Sequence, residues 1–165
     1  MPASSSLEPS APEIQASQWL NSKGLSLAAL RGRVVVLHAF QMLCPGCVAH
    51  GLPQAKKIAQ TFSEDMVTLI GLHTVFEHHE AMMPVSLQAF VHEYRLDFPI
   101  AIDQASSNGP IPLTMAAYGL EGTPSLVLID KQGRLRLRHL GQIDDLRLGV
   151  IMGQLISEPD AIDRT

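Results

Sequence analysis

Val34-Val35-Val36-Leu37-His38-Ala39-Phe40-Gln41-Met42-Leu43-Cys44-Pro45-Gly46-Cys47 is the stretch that decides the fold. Its first half is apolar and β-branched without alternation, the pattern of a strand covered on both faces of a sheet. After it, Val48, Leu52, Ala55, Ala59 and Phe62 recur at steps of three and four, the spacing of an amphipathic helix over 48–62. The cysteines therefore fall where a buried strand hands over to a helix N-terminus. Unpaired backbone N–H groups and the positive end of the helix dipole favour a thiolate there.

Cys44 and Cys47 are the only two cysteines of the chain. Three residues apart in a first helical turn, their sulfurs share one face and can close a short disulfide. So small a loop restricts the unfolded chain little, which argues against a structural staple and for a bond that opens and closes. Inert helix-start thiols and half of a zinc site are the alternatives, and the second lacks another CxxC to complete it. Cys44, nearer the helix start and the surface, is expected to attack a substrate disulfide, and Cys47 to resolve the mixed disulfide. The redox group is then the Cys44–Cys47 pair itself, with no other cofactor and no metal expected.

Outward from this stretch, strand signals recur. Val67-Thr68-Leu69-Ile70-Gly71-Leu72-His73 reads as a second buried strand, and strand–helix–strand units of this length make parallel sheets. Leu87, Phe90, Val91 and Tyr94 mark a second helix, Phe98-Pro99-Ile100-Ala101-Ile102 a short strand, and 113–118 one or two helical turns. Ser125-Leu126-Val127-Leu128-Ile129 is a further strand, followed by the hairpin turn Asp130-Lys131-Gln132-Gly133. In 135–140 Leu alternates with Arg and His, as in a half-buried edge strand, and Leu148, Ile151, Met152 and Leu155 belong to a last helix. Pro53 is expected to kink the first helix. This order predicts a three-layer α/β/α sandwich with a mixed central sheet. Residues 1–17, rich in Ser, Pro and Ala, read as a flexible N-terminal arm, 18–157 as the folded domain and 158–165 as a C-terminal tail.

With 165 residues, 46% apolar and 17% charged, the chain is long and apolar enough for one buried core. Twelve basic against sixteen acidic side chains, a net charge of −4, argue against nucleic acid as a partner. No apolar run approaches the ~18 residues of a membrane span. Met1-Pro2-Ala3-Ser4-Ser5-Ser6 lacks a basic n-region and an apolar h-region, so the cytoplasm is the expected compartment, or the periplasm if a leader has been removed.

Several motifs in order resemble one family. They are Leu27 to Leu30 with Arg31-Gly32-Arg33-Val34-Val35-Val36, Cys44-Pro45-Gly46-Cys47, Tyr94-Arg95-Leu96-Asp97-Phe98-Pro99, Tyr118-Gly119-Leu120-Glu121-Gly122-Thr123-Pro124, and Leu128-Ile129-Asp130-Lys131-Gln132-Gly133-Arg134. Across roughly residues 18 to 157 the chain resembles thioredoxin-fold redoxins of the TlpA- and ResA-like thiol-disulfide oxidoreductase branch. The resemblance implies a thioredoxin-like sandwich with a helix inserted after the second core strand. It also implies a cis Thr123-Pro124 bond facing the dithiol, with Thr123 pairing with an extended substrate. Pro45 and Gly46 complete the candidate substrate-binding set. The implied partners are protein or small-molecule disulfides and thiols and an upstream thiol electron donor, acting on a monomer or weak dimer with antioxidant character.

Three positions depart from the family. His38 replaces an Asp or Asn six residues before the first cysteine, Leu43 a Trp, and His50 a glutamate three after the second. Imidazoles, with an ordinary pKa of about 6.5, suit proton handling at Cys47, and His50 joins the two cysteines as a candidate catalytic residue. The plainer readings are a solvated helix histidine for His50 and, for His38, a core histidine bonded to a backbone carbonyl. A thiol peroxidase is one rival function, although Leu37 and Gln41 stand where the peroxiredoxin pattern has Pro and Thr. A copper or zinc carrier is another, using Cys44, Cys47 and His50 with His73, His78, His79, Met82 and Met83.

Overall fold

In the computed structural model, which describes residues 8–160, the expected strand around Val35 becomes the middle of a six-stranded sheet. The strands are β1 (Ala16–Leu20), β2 (Val34–Phe40), β3 (Val67–His73), β4 (Ile100–Asp103), β5 (Ser125–Ile129) and β6 (Leu135–Leu140). Their order across the sheet is β1-β4-β3-β2-β5-β6. β2, β3 and β4 run parallel, while β1, β5 and β6 each run antiparallel to a neighbour. β2 is hydrogen-bonded on both sides, from Val34↔Val67 to Phe40↔His73 against β3 and from Val35↔Ile129 to Ala39↔Ser125 against β5.

Alternation then divides its side chains between two cores. Val34, Val36 and Phe40 pack towards α1 (Leu52–Thr61), α2 (Pro84–Glu93) and α4 (Asp145–Ser157). Val35, Leu37 and Ala39 pack towards Met115 of α3 (Leu113–Ala117), Tyr118, Leu27 and Leu30. All seven residues of β2 are buried, and each large aliphatic side chain among them contributes up to about 1.5–3 kcal/mol by leaving water. The layers are those the sequence predicts, with α2 as the inserted helix.

Two expectations change. The helix expected from residue 48 opens with a π-type turn at Cys47–Gly51, just before Pro53, where the Leu52 N–H donates to the Cys47 carbonyl five residues back. Pro53, which has no N–H to give and whose ring crowds the preceding turn, then sits in the first turn of α1. The second change concerns the arm. Residues 1–7 lie outside the described residues, but 9–13 are tied down: the Leu135 N–H donates to the Pro9 carbonyl at 2.8 Å, the Ala11 N–H to the Gly133 carbonyl at 2.9 Å, and the Tyr118 hydroxyl to the Pro12 carbonyl at 2.6 Å. The carboxylate of Glu13 accepts the N–H groups of Leu27 and Ala28, both at 2.9 Å. Of the tail expected at 158–165, Glu158 accepts a 2.7 Å bond from Arg136, and 161–165 lie outside the described residues.

Candidate active site

β2 ends at Phe40, and Gln41, Met42 and Leu43 carry the chain across the top of the sheet to Cys44. Cys44 is partly exposed and Cys47 fully buried, with their sulfurs 2.6 Å apart, so a bond can close between them without backbone rearrangement. The Cys47 N–H points at the Cys44 sulfur at 3.2 Å, and that sulfur lies 3.5 Å from the Thr123 carbonyl oxygen. Burial, and next the hydrogen bond with Cys44, push the Cys47 thiol up to about 12. The accessible sulfur thus faces a backbone donor and the substrate side, while the inner one is held as a thiol.

Opposite the pair, the Thr123-Pro124 peptide is cis, as the resemblance implies. Gly46 faces this proline: a side chain there would meet the Pro124 ring at 3.4 Å. Of the candidate substrate-binding residues, Pro45, Gly46, Thr123 and Pro124 are therefore gathered around Cys44. Leu43, 58% exposed beside it, presents an apolar side chain to solvent.

Behind Pro124 lies a cleft of about 250 Å³, lined among others by His38, His50, Gly51, Gln54, Ser125 and Asp144. His50 is exposed at this cleft. His38 is 3% exposed, and among the described residues its Nε2 has no hydrogen-bond partner, so the expected backbone carbonyl is absent at that atom. The β2 register sets its ring into the narrow space below Gly51. Burial lowers its pKa from 6.5 to about 4. The two histidines that depart from the family pattern thus line one cleft.

The proposed metal-carrier cluster is not assembled. Among the described residues no group of three or more His, Cys, Asp or Glu is placed to hold a metal ion. His73 ends β3 and is buried beside Phe40, their ring centroids 5.1 Å apart, whereas His78 and His79 are exposed. Met82 is buried in the core and Met83 is 52% exposed. Alternation along the strand and helix packing separate residues that are neighbours in sequence. Gln41 also takes a place the sequence did not suggest: its side-chain oxygen accepts the Phe76 N–H at 3.2 Å, in place of the peroxide-positioning Thr of the peroxidase pattern.

A mixed sheet whose central strand delivers a CxxC pair to a helix start, facing a cis-proline, defines a thioredoxin-like redoxin. The chain belongs to the AhpC/TSA family, whose model matches residues 8–138. It is similar to a solved thioredoxin-like superfamily protein (56% identity, TM-score 0.90, 92% of this chain and 99% of that one). It is also similar to a thiol-disulfide isomerase from Corynebacterium glutamicum (50% identity, TM-score 0.87, 90% and 98%). The thiol-disulfide oxidoreductase ResA of Halalkalibacterium halodurans is 29% identical over 122 residues, 74% of this chain and 62% of that protein. The chain thus spans less than two thirds of that relative's length. Among the described residues no helix is long and apolar enough to cross a membrane.

Proposed function

We propose that the protein is a thiol-disulfide oxidoreductase that exchanges disulfides with protein or small-molecule partners through Cys44 and Cys47. The single observation that carries this is the asymmetry of the pair: an accessible sulfur with an N–H aimed at it, 2.6 Å from a buried sulfur. The relatives named for this chemistry support it.

In the reducing direction the Cys44 thiolate attacks one sulfur of the substrate disulfide, forming a mixed disulfide and releasing the other sulfur as a thiolate that takes up a proton. Cys47 then gives up its proton and attacks the Cys44 sulfur. The Cys44–Cys47 disulfide forms, the second substrate sulfur leaves, and the substrate has gained two electrons. An upstream thiol donor restores the dithiol, so the pair needs no further cofactor. His50, exposed three residues after Cys47, is the acceptor for the proton that Cys47 gives up. An extended substrate lies along Thr123 and Pro124, against Pro45, Gly46 and Leu43. A thiol-reducing cytoplasm would hold the pair as a dithiol and favour this direction, whereas an oxidising compartment would run it in reverse.

The test is trapping. Cys47→Ser should accumulate mixed disulfides with a model peptide disulfide, and Cys44→Ser should form none; equal trapping by both variants, or none by either, refutes the scheme. Metal analysis of protein purified under reducing conditions checks the carrier reading, which predicts a stoichiometric soft metal.

A further inference from the structure

We infer that His73 is a positioning residue for the dithiol, its Nε2 holding the N–H end of the Gln41–Met42 peptide plane whose oxygen end receives the N–H of Cys44. The inference rests on the exchange reading above and names a residue that aims its machinery.

The geometry is a short chain of bonds. The Met42 N–H donates to His73 Nε2 at 3.2 Å in a fully buried contact. The Cys44 N–H donates to the Gln41 carbonyl oxygen at 3.2 Å. That oxygen and the Met42 N–H belong to one peptide unit, which is planar and stiff, so fixing one end orients the other. Two more bonds bind the same short stretch: the Thr74 N–H donates to the Phe40 carbonyl at 3.1 Å and the Phe76 N–H to the Gln41 side-chain oxygen at 3.2 Å. Residues 73–76, at the end of β3, thus grip residues 40–42 immediately before the attacking cysteine. Two side chains in this grip accept main-chain N–H groups, Gln41 from Phe76 and His73 from Met42, and the His73 contact is the fully buried one.

The bland alternative is that His73 only fills space beside Phe40. Any ring of similar size would do that, but only an unprotonated ring nitrogen accepts from Met42. The ring must therefore carry its hydrogen on Nδ1. Burial, which lowers the His73 pKa from 6.5 to about 4, is consistent with a ring that stays neutral where thiol exchange runs. Without the acceptor the buried Met42 N–H has lost its partner, and the plane can turn to find another, carrying the Gln41 oxygen away from Cys44.

Three variants separate aiming from packing. His73→Phe keeps a ring and removes the acceptor, His73→Gln can set a carbonyl oxygen near the place of Nε2, and His73→Asn falls a bond short of it. The measurements are the Cys44 alkylation rate across pH and the equilibrium constant of the pair with glutathione. Losing a partner for a buried donor corresponds to roughly a tenfold change or more. The Phe and Asn variants should therefore shift both measurements by about that factor, and Gln should stay within about twofold of the native protein. Native-like values in the Phe and Asn variants, or a Gln variant as displaced as they are, overturn the inference. If the Phe variant does not fold, the Asn–Gln pair decides. Nitrogen NMR of the native protein should show Nε2 without a hydrogen, and a protonated Nε2 overturns the inference. Failure of the exchange reading is distinguishable, because alkylation of Cys44 needs no disulfide substrate.

Discussion

The ring of His38 occupies the space a side chain on Gly51 would need: a Cβ there would stand 2.7 Å from His38 Cε1, 3.0 Å from Nε2 and 3.1 Å from Pro124 Cβ. The first of these is closer than real Cβ atoms come to other atoms, and a ring packed in a central strand cannot swing aside cheaply. Gly51→Ala should therefore destabilise the protein by about 1–3 kcal/mol, the usual range for forcing an extra carbon into a packed site. Chemical denaturation measures this, and combining the change with His38→Ala should recover most of the loss because the two residues share one space. A Gly51→Ala protein as stable as the native one contradicts this packing.

Burial and the hydrogen bond with Cys44 hold the Cys47 thiol at about 12, so in the folded dithiol one sulfur alone should react with iodoacetamide up to about pH 9. Peptide mapping by mass spectrometry should find the label on Cys44. Label on Cys47 in folded protein would reverse the assigned roles.

Acid should weaken the fold before its carboxylates titrate. His38 and His73 ordinarily bind a proton near 6.5, but burial lowers each to about 4. The unfolded chain therefore takes up protons that the folded one refuses between these values. Stability is fully present above about pH 6.5 and falls as the pH drops towards 4, by on the order of 3 kcal/mol for each histidine in the limit. Urea midpoints measured from pH 7 to 4.5 should decline, and His38→Asn should flatten its share of the slope. A flat profile in the native protein rules this out.

His50 should act on the second step only. His50→Ala should slow resolution of the mixed disulfide and leave the first attack by Cys44 nearly unchanged, because a proton acceptor assists only the step in which Cys47 gives up its proton. Stopped-flow exchange with a model disulfide separates the two steps. Equal resolution rates in the variant and the native protein would leave His50 as a solvated histidine of the widened turn.

What was legible in the sequence was local. The apolar run of β2 and the spacing of Cys44 and Cys47 depend on neighbours a few residues away, and both stand where expected. The pairing of β1 with β4 was not legible, because Ala16-Ser17-Gln18-Trp19-Leu20 is only half buried and its partners lie some eighty residues on. By composition residues 9–13 read as part of the flexible arm 1–17, but main-chain groups make most of their bonds, and composition does not report on those. Sequence places His73 with the loop histidines because it records proximity along the chain. Its partner is a backbone amide of another strand's exit, a contact that no side-chain pattern encodes.

The N-terminal strap also bears on how the chain is made. Residues emerge from a ribosome in order, at about 5–20 per second, and domains can begin folding during synthesis. Pro9 receives its hydrogen bond from Leu135, about 125 residues later, and β1 waits for β4 at residues 100–103. For roughly 6–25 s of synthesis at these speeds the leading segment therefore has unpaired main-chain groups while β2, α1 and β3 can already associate. Closure of the sheet's outer edges is in this sense a late event, and a nascent chain stalled before residue 100 would present those edges to whatever holds it.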